Sequence, residues 1–271
     1  MSSDSPGTVP PIDESKPHSA RVWNYLLGGK DNYTADREAA EAYVELHPHI
    51  RTVARISRYW LIRGARFLAG ECGIRQFLDV GAGLPLPPDT VHDVVQRIVP
   101  DARVVYVDND PLVLAHAQAL LRSTPQGETA YIDADLRDPQ AILTEAGHTL
   151  DLSRPVGIIS SDVMGHVQDT QEAYRLVRAL VDGVAPGSYL MLSHGTDEDP
   201  GLTAAQEAYN RTEGAVPYRL RSAQEIARFF DGLELVEPGV VHQHAWRPDI
   251  SGLDSGTPVP GVGYAGVARI P

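Results

Sequence analysis

Cysteine is almost absent from the sequence, because Cys72 is the single one among 271 residues. A lone cysteine excludes an intramolecular disulfide and any zinc site built mainly from thiolates. Long apolar runs are also missing, since no stretch approaches the roughly 20 apolar residues that a membrane helix requires. We therefore expect no membrane partner and a cytoplasmic location.

Basic residues are scarce relative to acidic ones. The chain has 23 Lys and Arg against 36 Asp and Glu, which gives a formal net charge of -13. A surface of this sign is unsuited to neutralising phosphates, so we expect no nucleic-acid partner. Small or neutral substrates are favoured instead.

The first 73 residues differ in character from the rest. Residues 1–18 are rich in Ser, Pro and acidic residues and lack the apolar core of a signal peptide, so they are predicted to be a disordered leader. Residues 19–73 show apolar spacings of three and four, which predict three helices. In the third of these, arginines fall largely off the apolar face and are predicted to be solvated: Arg51, Arg55, Arg58 and Arg66.

After Gly73, short β-rich runs alternate with helical stretches, which predicts an α/β domain over residues 74–271 with a Rossmann-like, mostly parallel sheet of seven strands. The predicted strands are Arg75–Val80, Arg103–Val107, Thr129–Ile132, Val156–Ser160, Ser188–Ser193, Leu233–Val236 and Gly263–Ala268. The predicted helices are Asp89–Val99, Leu112–Ser123, Pro139–Ala146, Thr170–Val184, Ala204–Arg211 and Ala223–Phe230.

The first predicted strand ends in a glycine turn. Ligands of such sheets bind at the carboxyl ends of the strands, where the strand order reverses. Glycine allows unusual backbone angles and a close approach of a ligand to the main chain. The turn provides four candidate cofactor-binding residues: Asp79, Gly81, Ala82 and Gly83. Taken alone, the pattern also fits an ordinary strand-to-helix turn.

Carboxylates follow the next two strands. Asp108, with Asn109 beside it, comes 25 positions after Gly83, where a carboxylate can accept hydrogen bonds from both hydroxyls of a ribose. Asp135 and Leu136 follow the third strand and could hold adenine. The alternative for Asp135 is the N-cap of the next helix, a position for which Asp138 is the better candidate.

S-adenosylmethionine and NAD both contain adenosine, and the residues of the glycine turn discriminate between them. A dinucleotide-binding turn has a third glycine, which lets the helix N-terminus reach the pyrophosphate. Here Leu86 stands at that place, and three prolines, Pro85, Pro87 and Pro88, remove backbone donors. The turn therefore favours S-adenosylmethionine over NAD.

The segment Ala20–Tyr33, which contains Leu-Leu-Gly-Gly-Lys-Asp-Asn, resembles the N-terminal signature of the actinobacterial S-adenosyl methyltransferase family, formerly known as a domain of unknown function. Further similar blocks are Arg75–Asp79, Val104–Pro111, Ala134–Pro139, Ala185–Leu190 and Arg228–Gly239. The resemblance covers nearly all of residues 19–271. It implies a seven-stranded class I methyltransferase fold with an N-terminal helical lid, and S-adenosylmethionine as cofactor.

The resemblance also suggests a use for the loop Gly28–Asn32. It would fold over the cofactor as part of the lid, with Tyr25 and either Lys30 or Asn32 near the methionine end, although a helix C-cap and turn explain the same residues. Gly29 is also assigned to cofactor binding. At the fourth strand, Ser160 and Ser161 are assigned to cofactor binding. The stretch from Ile158 to His166 lacks the family's usual Leu-His-Phe ending, so substrate preference or catalytic competence differs from that of typical members.

We therefore predict a methyltransferase for a small-molecule acceptor. Two histidines at the carboxyl edge, His166 and His194, are candidate general bases, with structural roles as the alternative. His92, His242 and His244 are incomplete as a set of metal ligands: His242 and His244 could share one face of a strand, but no third ligand is evident, so no metal is predicted. The alternatives are a non-catalytic protein that binds the cofactor and an NAD-dependent oxidoreductase, and a homo-oligomer is left open.

Overall fold

The computed structural model describes residues 12–86, 90–120, 122–248 and 259–271, so residues 1–11 of the predicted leader lie outside the described residues. The described α-helices are α1 (Ser19–Leu26), α2 (Thr34–Leu46), α3 (Ile50–Gly70), α4 (Val91–Ile98), α5 (Pro111–Leu120), α6 (Pro139–Ala146), α7 (Thr170–Asp182), α8 (Pro200–Asn210) and α9 (Ala223–Ala227). Short 3-10 turns occur at Met164–His166, Arg228–Phe230 and Gln243–Ala245. Within these ranges no helix combines the length and apolarity needed to cross a bilayer.

One sheet forms the centre of the fold. Its strands are β1 (Gln76–Val80), β2 (Arg103–Asp108), β3 (Glu128–Asp133), β4 (Gly157–Ser161), β5 (Tyr189–His194), β6 (Glu234–Leu235), β7 (Val241–His242) and β8 (Tyr264–Arg269). The order is β3-β2-β1-β4-β5-β8-β6, with β7 also paired to β8. Strands β1 to β5 are parallel, whereas β8 is antiparallel to its neighbours.

The predicted α/β class and mostly parallel sheet are confirmed. Among the described residues the sheet has eight strands rather than seven, because the two-residue strand β7 pairs with β8. The chain builds outward from β1 through β2 to β3 and then returns to the other side of β1 as β4. The strand order therefore reverses between β1 and β4, which is the place where ligands bind in this architecture.

Burial on both faces explains why the central strands form. All five residues of β1 are buried, as are the first four of β4. Strands of parallel sheets are covered by helices on both sides, so apolar residues dominate them without a strict alternation, and in β1 only Gln76 and Asp79 are polar. One core packs α6 and α7 on one face, and another packs α3 and α4 on the other.

Capping residues determine where two of these helices begin. Helix α4 starts at Val91 instead of the predicted Asp89, since Thr90 is its N-cap and shares a capping box with Asp93. Helix α6 starts at Pro139, and the Oδ1 atom of Asp138 accepts a hydrogen bond of 3.0 Å from the amide of Ala141. The prediction that Asp138 caps this helix is confirmed.

Helices α1, α2, α3 and α8 share a third apolar cluster near the carboxyl edge of the sheet. Charged side chains fix α1 there: Arg21 is 4% exposed, and its Nε atom lies 3.6 Å from Asp36 and 3.7 Å from Asp110. The Nδ1 atom of His18 lies 3.0 Å from the Oδ2 atom of Asp110. Asp110 follows β2 directly, so α1 is connected to the end of that strand.

We predict that Trp60→Ala lowers the free energy of unfolding by about 3–5 kcal/mol, because truncating a buried aromatic side chain removes its apolar contacts and leaves a cavity. Trp60 lies in α3 and is fully buried, whereas its neighbour Tyr59 is 45% exposed. Urea unfolding measures both variants, with Tyr59→Ala as the matched control of small effect. If Tyr59→Ala lowered the free energy of unfolding as much as Trp60→Ala, this account of the core would be contradicted.

Candidate functional site

A cavity of about 290 Å³ opens at the carboxyl ends of β1, β2 and β4 and is covered by α1, α3 and α8. Nine of the residues predicted for the site line it: Asp79, Gly81, Ala82, Gly83, Asp108, Asn109, Leu136, Ser161 and His166. Six others are not among its lining residues: Tyr25, Gly29, Lys30, Asp135, Ser160 and His194. The structure therefore brings together the residues that follow β1 and β2.

The glycine turn after β1 has the backbone that the sequence predicts. Gly81 and Gly83 have φ angles of 76° and 65°, in the left-handed region that favours glycine. A Cβ atom on Gly81 would lie 2.2 Å from the Cγ2 atom of Val163, which follows β4. A Cβ atom on Gly83 would meet nothing within 4 Å. The turn thus packs tightly against β4 on one side and leaves open space at Gly83.

Asp108 is fixed by the main chain. Its Oδ2 atom accepts a hydrogen bond of 2.8 Å from the amide of Gly83, and its Oδ1 atom accepts one of 3.0 Å from the amide of Asp110. Burial raises the pKa of this carboxyl above its usual value, while the two amides act in the opposite direction. Each carboxylate oxygen has two lone pairs, so both can accept a further hydrogen bond.

Asp79 lies at the bottom of the cavity and is 4% exposed. Burial raises the pKa of its carboxyl to about 7, the positive charge of Arg58 opposes this shift, and the negative charge of Asp108 adds to it. Arg58 is half-buried and lines the same cavity, so the prediction that it belongs to a solvated face is wrong. The guanidinium of Arg58 and the carboxyl of Asp79 therefore line the same cavity.

The end of β4 contributes a residue that the sequence analysis missed. Asp162 lines the cavity and has a φ angle of 54°, which is uncommon for a residue other than glycine. Its Oδ2 atom accepts hydrogen bonds from the hydroxyl of Ser57 and, at 3.0 Å, from the Nε2 atom of Gln243. The sequence shows only an acidic residue after a strand, and nothing in it reveals the left-handed backbone.

The two candidate histidines have different surroundings. His166 lines the cavity, its Nδ1 atom lies 3.0 Å from the carbonyl oxygen of Pro217, and burial lowers the pKa of its ring to about 4. His194 is fully buried, with Nδ1 2.8 Å from the carbonyl of Gly195 and Nε2 2.6 Å from Arg221. Burial and the charge of Arg221 lower the pKa of His194 to about 3. Both ring nitrogens of His194 are therefore engaged by the core.

Helix α1 presents a different side chain to the cavity than predicted. Tyr25 faces away from it, where its hydroxyl donates a hydrogen bond to Glu41. Asn24 lines the cavity and is 2% exposed, and its Nδ2 atom has no hydrogen-bond partner among the described residues. Its Oδ1 atom accepts hydrogen bonds from the amide of Asp31 and from Asn32, at 3.1 and 3.0 Å.

The loop that contains Gly28, Gly29 and Lys30 is therefore folded back onto Asn24. A Cβ atom on Gly29 would lie 2.4 Å from the Asn24 amide, which explains the glycine at this position. The loop orients Asn24 but does not line the cavity itself.

The remaining predicted residues lie beside the cavity. Asp135 is exposed, and its Oδ1 atom accepts a hydrogen bond of 2.8 Å from the amide of Arg137, whereas its neighbours Ala134 and Leu136 line the cavity. Ser160 is buried within β4. In the part of the chain that the structure describes, no group of three or more His, Cys, Asp or Glu side chains is arranged to hold a metal ion.

Known proteins are similar to this chain over nearly its whole length. The sequence model of the S-adenosyl methyltransferase family matches residues 6–271. A DUF574 family protein from Streptomyces avermitilis is 44% identical, with a TM-score of 0.90 over 96% of this chain and 100% of its own. A protein from Thermobifida fusca with a provisional methyltransferase assignment is 42% identical, with a TM-score of 0.87 over 98% of this chain and 99% of its own.

A more distant structure shows the fold alone. The N-methyltransferase NodS from Bradyrhizobium japonicum, in complex with S-adenosyl-L-homocysteine, is 14% identical, with a TM-score of 0.50 over 93% of this chain and 99% of its own. No curated protein matches the chain.

We predict that Asp79→Asn stabilises the ligand-free protein more at pH 8 than at pH 5. The pKa of Asp79 is raised to about 7, so between about pH 4 and pH 7 the folded state holds a proton that the unfolded state has lost. Stability therefore falls as the pH rises through this window, and the asparagine removes that loss.

Urea unfolding of wild type and variant at the two pH values measures the effect. Asp231→Asn is the control, because this carboxyl is 71% exposed. If the free energies of unfolding of Asp79→Asn and wild type differed by the same amount at both pH values, Asp79 would ionise as an ordinary carboxyl.

Proposed function

The chain belongs to the S-adenosyl methyltransferase family, whose cofactor is S-adenosylmethionine, and we propose that it methylates a small molecule bound in the cavity under α1 and α8. The observation that carries the proposal is the carboxylate of Asp108, held by the amides of Gly83 and Asp110 at the point where the strand order reverses. The small size of the acceptor is the part that goes beyond the family.

The residues of the cavity fit each part of the cofactor. We assign the ribose hydroxyls to Asp108, because both of its oxygens keep a free lone pair. Ala134 and Leu136 line the cavity beyond β3, so we assign them, with Asn109, to the adenine ring. Asp135 is assigned no contact with adenine, since its carboxylate is exposed beside Arg137.

The polar groups under α1 and α3 suit an amino-acid tail. Arg58 would pair with the carboxylate of the methionine moiety, and Asp79 would accept hydrogen bonds from its ammonium group. The buried Nδ2 atom of Asn24 supplies one more donor in the same cavity. A free donor that is 2% exposed is costly without a ligand, which supports binding at this place.

The acceptor compartment is mostly apolar. Helices α1, α2 and α8 and the segment after α8 contribute lining residues that suit an apolar body: Leu26, Tyr43, Leu202, Tyr209, Val216 and Leu220. The net charge of -13 argues against a nucleic-acid acceptor. We therefore propose an acceptor of small size with substantial apolar surface.

When bound, S-adenosylmethionine supplies a methyl group activated by its positively charged sulfur. The protein contributes mainly orientation, because holding the nucleophile in line with the methyl carbon and sulfur removes much of the entropic barrier. Asp108 and the glycine turn would hold the adenosyl end, while Arg58 and Asp79 would hold the amino-acid end. Helices α1 and α8 exclude water from the space between.

We predict that Asp108→Asn weakens the binding of S-adenosyl-L-homocysteine roughly ten- to a hundred-fold, since a charged hydrogen-bond acceptor is lost. Isothermal titration calorimetry measures the affinity. Asp133→Asn is a matched control, because Asp133 pairs in register with Asp108 on β3 but is exposed outside the cavity. Unchanged affinity in a correctly folded Asp108→Asn protein would remove the ribose assignment and the proposal with it.

A further inference from the structure

Asp162 is held in a conformation that side chains rarely adopt. A φ angle of 54° at a residue other than glycine costs free energy, and such strain persists where the surroundings fix it. The amide of Asp162 donates a hydrogen bond of 3.0 Å to the carbonyl of Ser193, which continues the pairing of β4 with β5. The carboxylate is bonded by side chains from α3 and from the 3-10 turn after β7, namely Ser57 and Gln243.

The position of Asp162 places it beside the cofactor turn. Its neighbour Val163 is the residue against which Gly81 packs, so the carboxylate lies one residue from the contact between β1 and β4. Asp162 also lines the same cavity as Leu202 and Tyr209, which belong to the acceptor compartment. It therefore shares one cavity with the cofactor turn and with the acceptor compartment.

The groups bonded to this carboxylate are neutral. Ser57, Gln243 and Ser193 donate hydrogen bonds without adding a positive charge. The carboxylate nevertheless lines the cavity, where a ligand can reach it. Tyr218 lies near this carboxylate, and its pKa is raised by burial and by the Asp162 charge. The other titratable or charged side chains that line the cavity are His18, Tyr43, Arg58, Asp79, Asp108, Arg137, His166 and Tyr209.

We propose that Asp162 is the catalytic carboxylate that accepts the proton of the acceptor, and that the acceptor therefore reacts through an O–H or N–H group. This proposal rests on the proposed function. In the step, the lone pair of the oxygen or nitrogen forms the bond to the methyl carbon, the electrons of the S–CH3 bond stay on sulfur, and the proton passes to Asp162. The positive charge of the sulfonium and the negative charge of the carboxylate disappear together.

Burial shifts the pKa values of the two candidate bases in opposite directions. It raises the pKa of Asp162, which makes its carboxylate a stronger base than an exposed one. It lowers the pKa of His166 to about 4, which makes the imidazole a weaker base than usual. The body of the acceptor meets aromatic and aliphatic side chains, and the buried hydroxyl of Tyr209, unpartnered among the described residues, is available to a second polar group.

The test uses sinefungin, a cofactor analogue in which a carbon bearing an ammonium group replaces the sulfur and its methyl. A carboxylate that faces the transferred methyl pairs with this ammonium. We expect wild type to bind sinefungin roughly ten- to a hundred-fold more tightly than S-adenosyl-L-homocysteine at pH 8. Calorimetry on Asp162→Asn should show nearly equal affinities for the two ligands. Asparagine is chosen because it tolerates a positive φ angle.

The ratio of the affinities for sinefungin and S-adenosyl-L-homocysteine also depends on whether Asp162 is protonated. In wild type it should decrease as the pH falls through the pKa of Asp162, whereas in Asp162→Asn it should not change. Asp169→Asn is the control, because Asp169 caps α7 outside the cavity and asparagine caps helices equally well. His166→Gln tests the rival base.

Each outcome separates the hypotheses. Equal affinities in wild type, a preference retained by Asp162→Asn, or a preference lost only in His166→Gln would overturn the role of Asp162. Binding of neither ligand by folded wild-type protein would overturn the proposed function itself, which distinguishes the two failures.

Discussion

The contact between Gly81 and Val163 joins the two strands that flank the site. Only a residue without a Cβ atom can bring the end of β1 this close to the end of β4. Asp79 comes two residues before this contact on β1, and Asp162 comes one residue before it on the β4 side. The spacing of the buried carboxyls therefore depends on a single close approach of backbone to side chain.

Three carboxyl groups, those of Asp79, Asp108 and Asp162, line one cavity, and burial raises the pKa of each. A cavity of this kind is electrostatically complementary to a ligand that carries positive charge. The cofactor of the family carries two such charges, on its sulfur and on its amino group. Arg58 offsets part of the negative potential at the end where a carboxylate is expected.

The sheet was predictable because its central strands are short, apolar and separated by helices of regular length. Strand β7 was not predictable, because its two residues, Val241 and His242, are too few to show any periodicity. They form a strand only because β8 lies beside them. Asp108 followed from its spacing after the glycine turn. Asp162 could not be predicted in the same way, because its left-handed backbone and its partners Ser57 and Gln243 come from distant parts of the chain.

The other differences between the predicted and the observed site concern which face of a helix meets the cavity. Successive residues of a helix are rotated by roughly 100°, so the choice between Asn24 and Tyr25 reverses which side chain meets the cavity. Arg58 lies off the apolar stripe of α3, and this second face of the helix meets the cavity wall instead of bulk water. A pattern of apolar residues identifies the core side of a helix, but it does not reveal which polar side covers a ligand.

The attachment of α1 to the end of β2 links two compartments. His18 and Arg21 contact Asp110, whose amide donates to Asp108, and the same helix lines the cavity through Asn24 and Leu26. Helix α1 is thus attached next to the carboxylate that we assign to the ribose, and it also lines the part of the cavity that we assign to the acceptor. Because one helix contacts both regions, any change in the position of α1 would alter the two parts of the cavity together.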